Sequence, residues 1–263
     1  MAEATKGATQ AMLGTSIVGT SSVRSYKDAR CLVLVPGHAV YIGRSIEHSV
    51  SDKYWIGGFP GEAGYYTEHA LAGIEEARSS SHLLVFSGGQ TREAAGVMSE
   101  AQSYWFLGDQ YSWNNRDGVK SRALVEDFAR DSLENLAFGI GVFARVTERM
   151  PDDIVLCGWG FKEDRYRLHA DALGISQDQL HYVKVNNPEG SEDDLSSPLG
   201  GALKGEKKTV ADFIETPFGN DGVLLQKRLQ RDPYLRGDNA YLYYQLYFLR
   251  QEIFPLLRKR GQS

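Results

Sequence analysis

Ten consecutive residues, Glu126-Asp-Phe-Ala-Arg-Asp-Ser-Leu-Glu-Asn135, gather carboxylates, a guanidinium, a hydroxyl and an amide. Acid–base and anion-binding chemistry needs such groups close together. Helix capping accounts for part of the cassette, with Asp131 or Ser132 as N-cap and Glu134 reaching back as in a capping box. Capping requires neither Glu126, Arg130 nor Asn135, and these point to function. His38 follows Gly37 directly, and a histidine titrating near neutrality can act as general base, phosphate donor or metal ligand. The bland alternative is a loop histidine bonded to backbone. Ser87-Gly-Gly-Gln-Thr-Arg92 combines flexible backbone, a hydroxyl and a cation, which suits a phosphate or carboxylate as well as a tight corner. Gly158-Trp-Gly-Phe-Lys-Glu-Asp-Arg165 adds an aromatic surface in Trp159, fit to stack on a base or to plug a core, and two cations, Lys162 and Arg165.

The elements that must position these groups are readable from periodicity. Three short apolar runs, Cys31–Val35, Leu83–Phe86 and Ile154–Cys157, each end in a small-residue polar corner. Such corners lie at the carboxyl ends of parallel strands, where helix N-termini converge on ligands. Weaker strands are expected at Ala123–Glu126 and Tyr182–Val185. Helices are expected at Thr67–Arg78, Arg92–Leu107, from Ser132 onward, and at Glu163–Leu173, with a Gly-rich loop from Val40 to Tyr66. The alternation predicts an α/β fold, a Rossmann-like three-layer sandwich with a mostly parallel sheet. Residues 1–28 read as a disordered tail and 29–186 as the sheet domain. Residues 187–263 read as a loop followed by an added C-terminal helical segment packed on that domain. In that segment, 187–206 is expected to be loop, with helices at Val210–Glu215, Gly222–Leu229 and Asn239–Arg260 and a kink at Pro255. The aromatic run from Tyr241 suits packing on the sheet domain or a homodimer face.

Composition narrows the function classes. A net charge of −5 and a pI near 5.7 over 263 residues leave no broad basic surface, so nucleic acid is not the expected partner. Two cysteines inside apolar runs read as small core residues, which fits a reducing, cytoplasmic setting. No run approaches the roughly 18 apolar residues of a membrane span. The Ala/Gly/Ser/Thr-rich start weakly fits an organelle presequence. The chain lacks G-x-G-x-x-G after the first strand, G-x-x-x-x-G-K-[ST], H-E-x-x-H, G-x-S-x-G and paired C-x-x-C.

The order strand-Ser87-Gly-Gly, Ser99-Glu-Ala101, Glu126 with Arg130-Asp-Ser-Leu-Glu-Asn135, then strand-Gly158 and an arginine-bearing helix resembles the family of YdcF, SanA and ElyC, domain of unknown function 218. The likeness covers about residues 30–185. It departs at Ser132, where the family has threonine, and at Lys162, where the family's histidine falls. It implies a Rossmann-like fold with a charged pocket and an enzymatic activity without an agreed reaction.

Together the residues and the resemblance predict an enzyme, a hydrolase or transferase, acting on a small phosphorylated or nucleotide-like ligand. His38, Glu126, Glu134 and Asn135 are the expected catalytic set. Gly37, Ser87, Gly88, Gly89, Gln90, Arg92, Glu100, Ser132, Trp159, Lys162 and Arg165 are the expected ligand contacts. No metal site is assigned, although carboxylates beside phosphate loops suit Mg²⁺. The rival readings are a non-catalytic binder of S-adenosylmethionine or a related nucleoside, and a scaffold acting through the aromatic C-terminal helix.

Overall fold

The computed structural model describes residues 26–116 and 118–237. In chain order β1 (Cys31–Pro36) is followed by a small antiparallel pair, β2 (Val40–Tyr41) and β3 (Trp55–Ile56), and then by α1 (Ala63–Glu76) and β4 (His82–Ser87). Next come α2 (Glu100–Gln110), β5 (Ala123–Glu126), α3 (Ser132–Thr147), β6 (Asp153–Trp159), α4 (Glu163–Leu173) and β7 (Leu180–Asn186), before α5 (Pro198–Glu215) and α6 (Gly222–Gln230). Five strands form one sheet in the order β5-β4-β1-β6-β7, and every pairing in it is parallel.

All six residues of β1 are buried. A strand alternates its side chains between two faces, so burial on both requires an unbroken apolar run. Leu32 and Leu34 join Leu83, Val85, Ile154 and Leu156 beneath α3 and α4. Val33 and Val35 join Leu84, Phe86 and Cys157 beneath α1 and α2. The result is the α/β three-layer sandwich expected from the sequence. Cys31 and Cys157 are buried free thiols, and burial pushes the Cys31 thiol up to about 11. The α1 layer sits close because Gly73 has no side chain: a Cβ there would stand 2.1 Å from Val35 Cγ2.

Several boundaries differ from the sequence reading. The segment 40–66 holds the β2–β3 pair and short helical turns rather than open loop. The second helix begins only at Glu100, because Ser99 accepts the Gln102 N–H and Gln102 reaches back in a capping box. Residues 198–206, expected as loop, belong to α5. Ser197 caps that helix by accepting from the Gly200 N–H, and Pro198 takes the first-turn position that spares a backbone donor. The helix expected at Asn239–Arg260, its kink at Pro255 and most of the expected N-terminal tail lie outside the described residues.

The C-terminal helices are held to the sheet domain by buried charge as well as by Phe213 and Leu224, which enter the core under α3 and α4. Arg228 on α6 is buried and donates through Nε to the Asp131 carboxylate, with Glu134 Oε1 at 3.5 Å. Arg130 donates to Glu134 Oε1 at 2.6 Å and to Asp232 Oδ2 at 3.1 Å. Removing one member of such a cluster strands the others as uncompensated buried charges. Arg228→Ala is therefore expected to lower unfolding free energy by about 3–5 kcal/mol in a denaturant titration. A loss below about 1 kcal/mol would show that α6 docks by its apolar face alone.

Candidate functional site

The order of the sheet reverses at β1. The chain moves outward through β4 to β5 on one side, and β6 and β7 are added on the other. In open α/β sheets the corner loops on either side of such a reversal splay apart and leave a crevice outside the carboxyl ends of the strands. Here that crevice is a cavity of about 690 Å³.

Gly37 and His38 line it from the end of β1, Trp159 from the end of β6, and Glu100 from the start of α2. Asp131, Ser132 and Asn135 of the α3 N-terminus, Lys162, Arg165 and Tyr166 of the α4 N-terminus, and Ser197, Pro198 and Gly201 of the α5 N-terminus also face it. The α3, α4 and α5 helices thus begin at the cavity, and each brings the positive end of its dipole. Phe59, Pro60, Glu62 and Tyr66 form an aromatic flank with Phe161, while Glu206 of α5 and Arg231, just after α6, complete the lining.

Glu100 occupies a gap made by two glycines. A Cβ on Gly37 would lie 2.6 Å from Glu100 Cβ, and one on Gly88 would lie 2.8 Å from it. Thr91 donates its hydroxyl proton to Glu100 Oε1. Burial raises the basicity of this carboxylate, against the opposing pull of Thr91, Arg92, Arg231 and Lys162.

The cations are unequally satisfied. Arg165 pairs with Glu206 at 2.9 Å, and Arg130 is held by Glu134 and Asp232. Arg92 donates to the Gly57 carbonyl and Arg231 to the Arg130 carbonyl. Among the described residues, Arg92, Lys162 and Arg231 form no ion pair. Burial, with Arg165 beside it, lowers the Lys162 ammonium to about 7, against the counter-pull of Glu206 and Glu62. Burial and then Lys162, His69, Arg165 and Arg231 hold His38 well below the usual imidazole range. Its Nε2 is buried without a hydrogen-bond partner. Behind it stands His69, whose ring packs edge-on at 5.2 Å and bonds Asn186 at 2.8 Å. Burial works against ionisation of Asp131, but the Arg228 guanidinium outweighs it and holds the carboxyl below its usual range.

Of the residues expected from sequence, Gly37, His38, Arg92, Glu100, Ser132, Asn135, Trp159, Lys162 and Arg165 meet at the cavity. Ser87, Gly88, Gly89, Gln90, Glu126 and Glu134 do not line it. The two glycine N–H groups are already spent: Gly88 donates to the Glu126 carbonyl at 2.9 Å and Gly89 to the Ala129 carbonyl at 2.7 Å. Gln90 donates to the Val97 carbonyl. Glu126, fully buried, accepts from the Phe128 and Ala129 N–H groups through Oε1 and lies 2.6 Å from Ser87 Oγ through Oε2. Ser87 Oγ also lies 2.9 Å from Asn135 Oδ1. This cluster ties β4, β5 and α3 together behind the cavity, so Glu126 shapes the loop and does not line the cavity. Glu134 is likewise taken up by Arg130, whose backbone N–H, Nε and Nη2 all donate to it. Asp131 is the N-cap, accepting from the Glu134 N–H, and Ser132 is bonded to His169 Nε2 at 2.7 Å.

The sequence reading did not assign Glu62, Tyr66, Tyr166, Glu206 or Arg231 to the site. Only the Ser197-Pro198 helix start offered a local signal for the α5 wall. Among the described residues, no cluster of three His, Cys, Asp or Glu side chains is arranged to hold a metal ion, and no helix is long and apolar enough to cross a membrane.

No family model matches the chain, and no solved structure matches it. The chain is similar to the uncharacterized protein YOR238W of Saccharomyces cerevisiae, 26% identical over 255 residues, covering 78% of this chain and 84% of that protein.

Burial raises the Glu126 carboxyl to about 8, although Ser87 and the Phe128 N–H pull the other way. In the unfolded chain the same group titrates near 4.3. The folded state therefore holds the proton more tightly, and the stability this confers is full below about 4.3 and is lost as pH rises through about 8. Glu126→Gln keeps the acceptor for the two N–H groups and removes the titration. Melting curves from pH 4 to 9 should show the stability difference, variant minus wild type, rising with pH across that window. A difference independent of pH would contradict the assigned protonation.

Proposed function

We propose that the protein is an enzyme of the YdcF-like type that binds a small phosphorylated or nucleotide-like ligand in this cavity and hydrolyses it or transfers a group from it. The observation that carries the reading is a crevice at the chain reversal of the sheet in which Arg92, Lys162 and Arg231 have no ion-pair partner among the described residues. Unneutralised cations that face one cavity repel one another, and that is the condition an anionic ligand relieves. The α3, α4 and α5 N-termini add to the same field.

Roles follow from position. Arg92, Lys162, Arg165 and Arg231 hold the anion, while Ser132 and Asn135 supply neutral hydrogen bonds. Glu100, a cavity carboxyl of raised basicity, is a better acid–base candidate than the enclosed Glu126. His38 is neutral in the free protein. Burial is the largest of the five causes that depress it, but three of the others are cations an anion would offset, so ligand binding raises its basicity. The aromatic flank of Phe59, Tyr66, Trp159 and Phe161 suits a planar ring beside the phosphate, and it equally favours the second reading, a nucleoside or S-adenosylmethionine binder without turnover.

A thermal-shift screen of the full chain against inorganic phosphate, pyrophosphate, nucleotides, sugar phosphates and S-adenosylmethionine tests this. A ligand at 100 times its Kd stabilises by about 2.7 kcal/mol, which for a chain of this size raises Tm by roughly 5–10 °C. The shift should be lost in Arg231→Ala and Lys162→Met, and the ligand that produces it should be consumed on prolonged incubation. Stabilisation without consumption favours the binder. An undiminished shift in both variants, or none with any compound, contradicts the anion site.

A further inference from the structure

Lys162 is placed unlike the other lysines of the described fold. Lys27, Lys120, Lys184 and Lys227 each face a carboxylate across an ion pair. Lys162 faces none. It stands at the N-cap of α4 on the cavity wall, where the helix dipole opposes a positive charge, one turn before Arg165 and with Nζ 5.5 Å from the centre of the Phe161 ring. Desolvation and a neighbouring cation are the two conditions that leave a lysine amine unprotonated and nucleophilic near neutral pH. Arg92, Arg165 and Arg231 present guanidiniums to the same space, so a phosphate can be held beside the amine while it reacts.

We propose that Lys162 is a nucleophile and that the ligand is a phosphorylated aldehyde or ketone, captured as an imine on Lys162 Nζ with its phosphate held by the arginines. The inference rests on the anion-site reading above and goes beyond it by naming the carbonyl. In the step, the Nζ lone pair adds to the carbonyl carbon and the oxygen takes up a proton, giving a carbinolamine. The hydroxyl then leaves as water with a second proton as the C=N bond forms. Glu100, facing the same cavity, is placed to donate that proton and to recover one from nitrogen. Two amine hydrogens and the carbonyl oxygen end as one water, and no oxidant or reductant is consumed.

The experiment uses pyridoxal 5′-phosphate as probe, followed by borohydride reduction and peptide mapping of the full chain. The expected result is one reduced adduct per chain on Lys162, formed at least about tenfold faster at pH 7.5 than on the exposed Lys53 and Lys208. Inorganic phosphate should slow it. Lys162→Arg should lose the adduct and keep the thermal response to phosphate, since the cation remains. A wild-type chain that responds to phosphate but labels Lys162 no faster than Lys53 overturns the imine and leaves the anion site standing. Equal labelling of Lys162 by phosphate-free pyridoxal overturns the phosphorylated ligand and, with no thermal response to phosphate, the anion site with it.

Discussion

Arg228 reaches from α6 into the start of α3 and neutralises Asp131 and Glu134, two carboxylates that the sheet domain buries. Desolvating each of these ions costs several kcal/mol, and only close pairing offsets it. Such a cluster contributes little to stability compared with an apolar replacement, but it permits very few arrangements. With Arg130 and Asp232 it fixes α6 over the α3 N-terminus, and it thereby brings Arg231 to the cavity. The C-terminal helices are consequently part of the site: α5 walls it and the end of α6 closes it.

A second constraint sits at the carboxyl ends of the strands. Ser87, Glu126 and Asn135 form a buried polar knot, and the Gly88–Gly89 turn spends its N–H groups on neighbouring carbonyls. Gly37 and Gly88 leave room for Glu100 alone. The knot supports the corner from behind while Glu100, His38 and the cations line the cavity in front. Support behind and uncompensated charge in front is the arrangement expected of a preorganised anion site.

Much of this was legible in local sequence. The buried strands announced themselves as unbroken apolar runs, and the N-cap at Asp131 with Glu134 behind it followed from spacing. The corners pointed to the end of the sheet where the cavity lies, and nine of the expected residues line it. That Glu126 and Glu134 lie outside the cavity lining was not legible, because a carboxylate in a loop motif looks the same whether it faces a cavity or its own backbone. Only the partners, Phe128 N–H and Arg130, decide between them. Arg228, Arg231 and Glu206 were invisible for another reason. Their significance lies in contacts about a hundred residues away in the chain for the two arginines and across two helices for the glutamate. The glycines at 200, 201 and 205 also masked α5, although Ser197-Pro198 marked its start.

The central claim is that the cavity holds an oxyanion against unpaired cations, and the most direct measurement is an anomalous difference map from crystals soaked in sodium tungstate, a heavy analogue of phosphate. The account predicts a tungsten peak inside the cavity, within hydrogen-bonding distance of Lys162 or Arg231, and its loss in Arg231→Ala, Lys162→Met double-variant crystals. Tungsten bound only at exposed lysines such as Lys53, with the cavity free of it, would contradict the account.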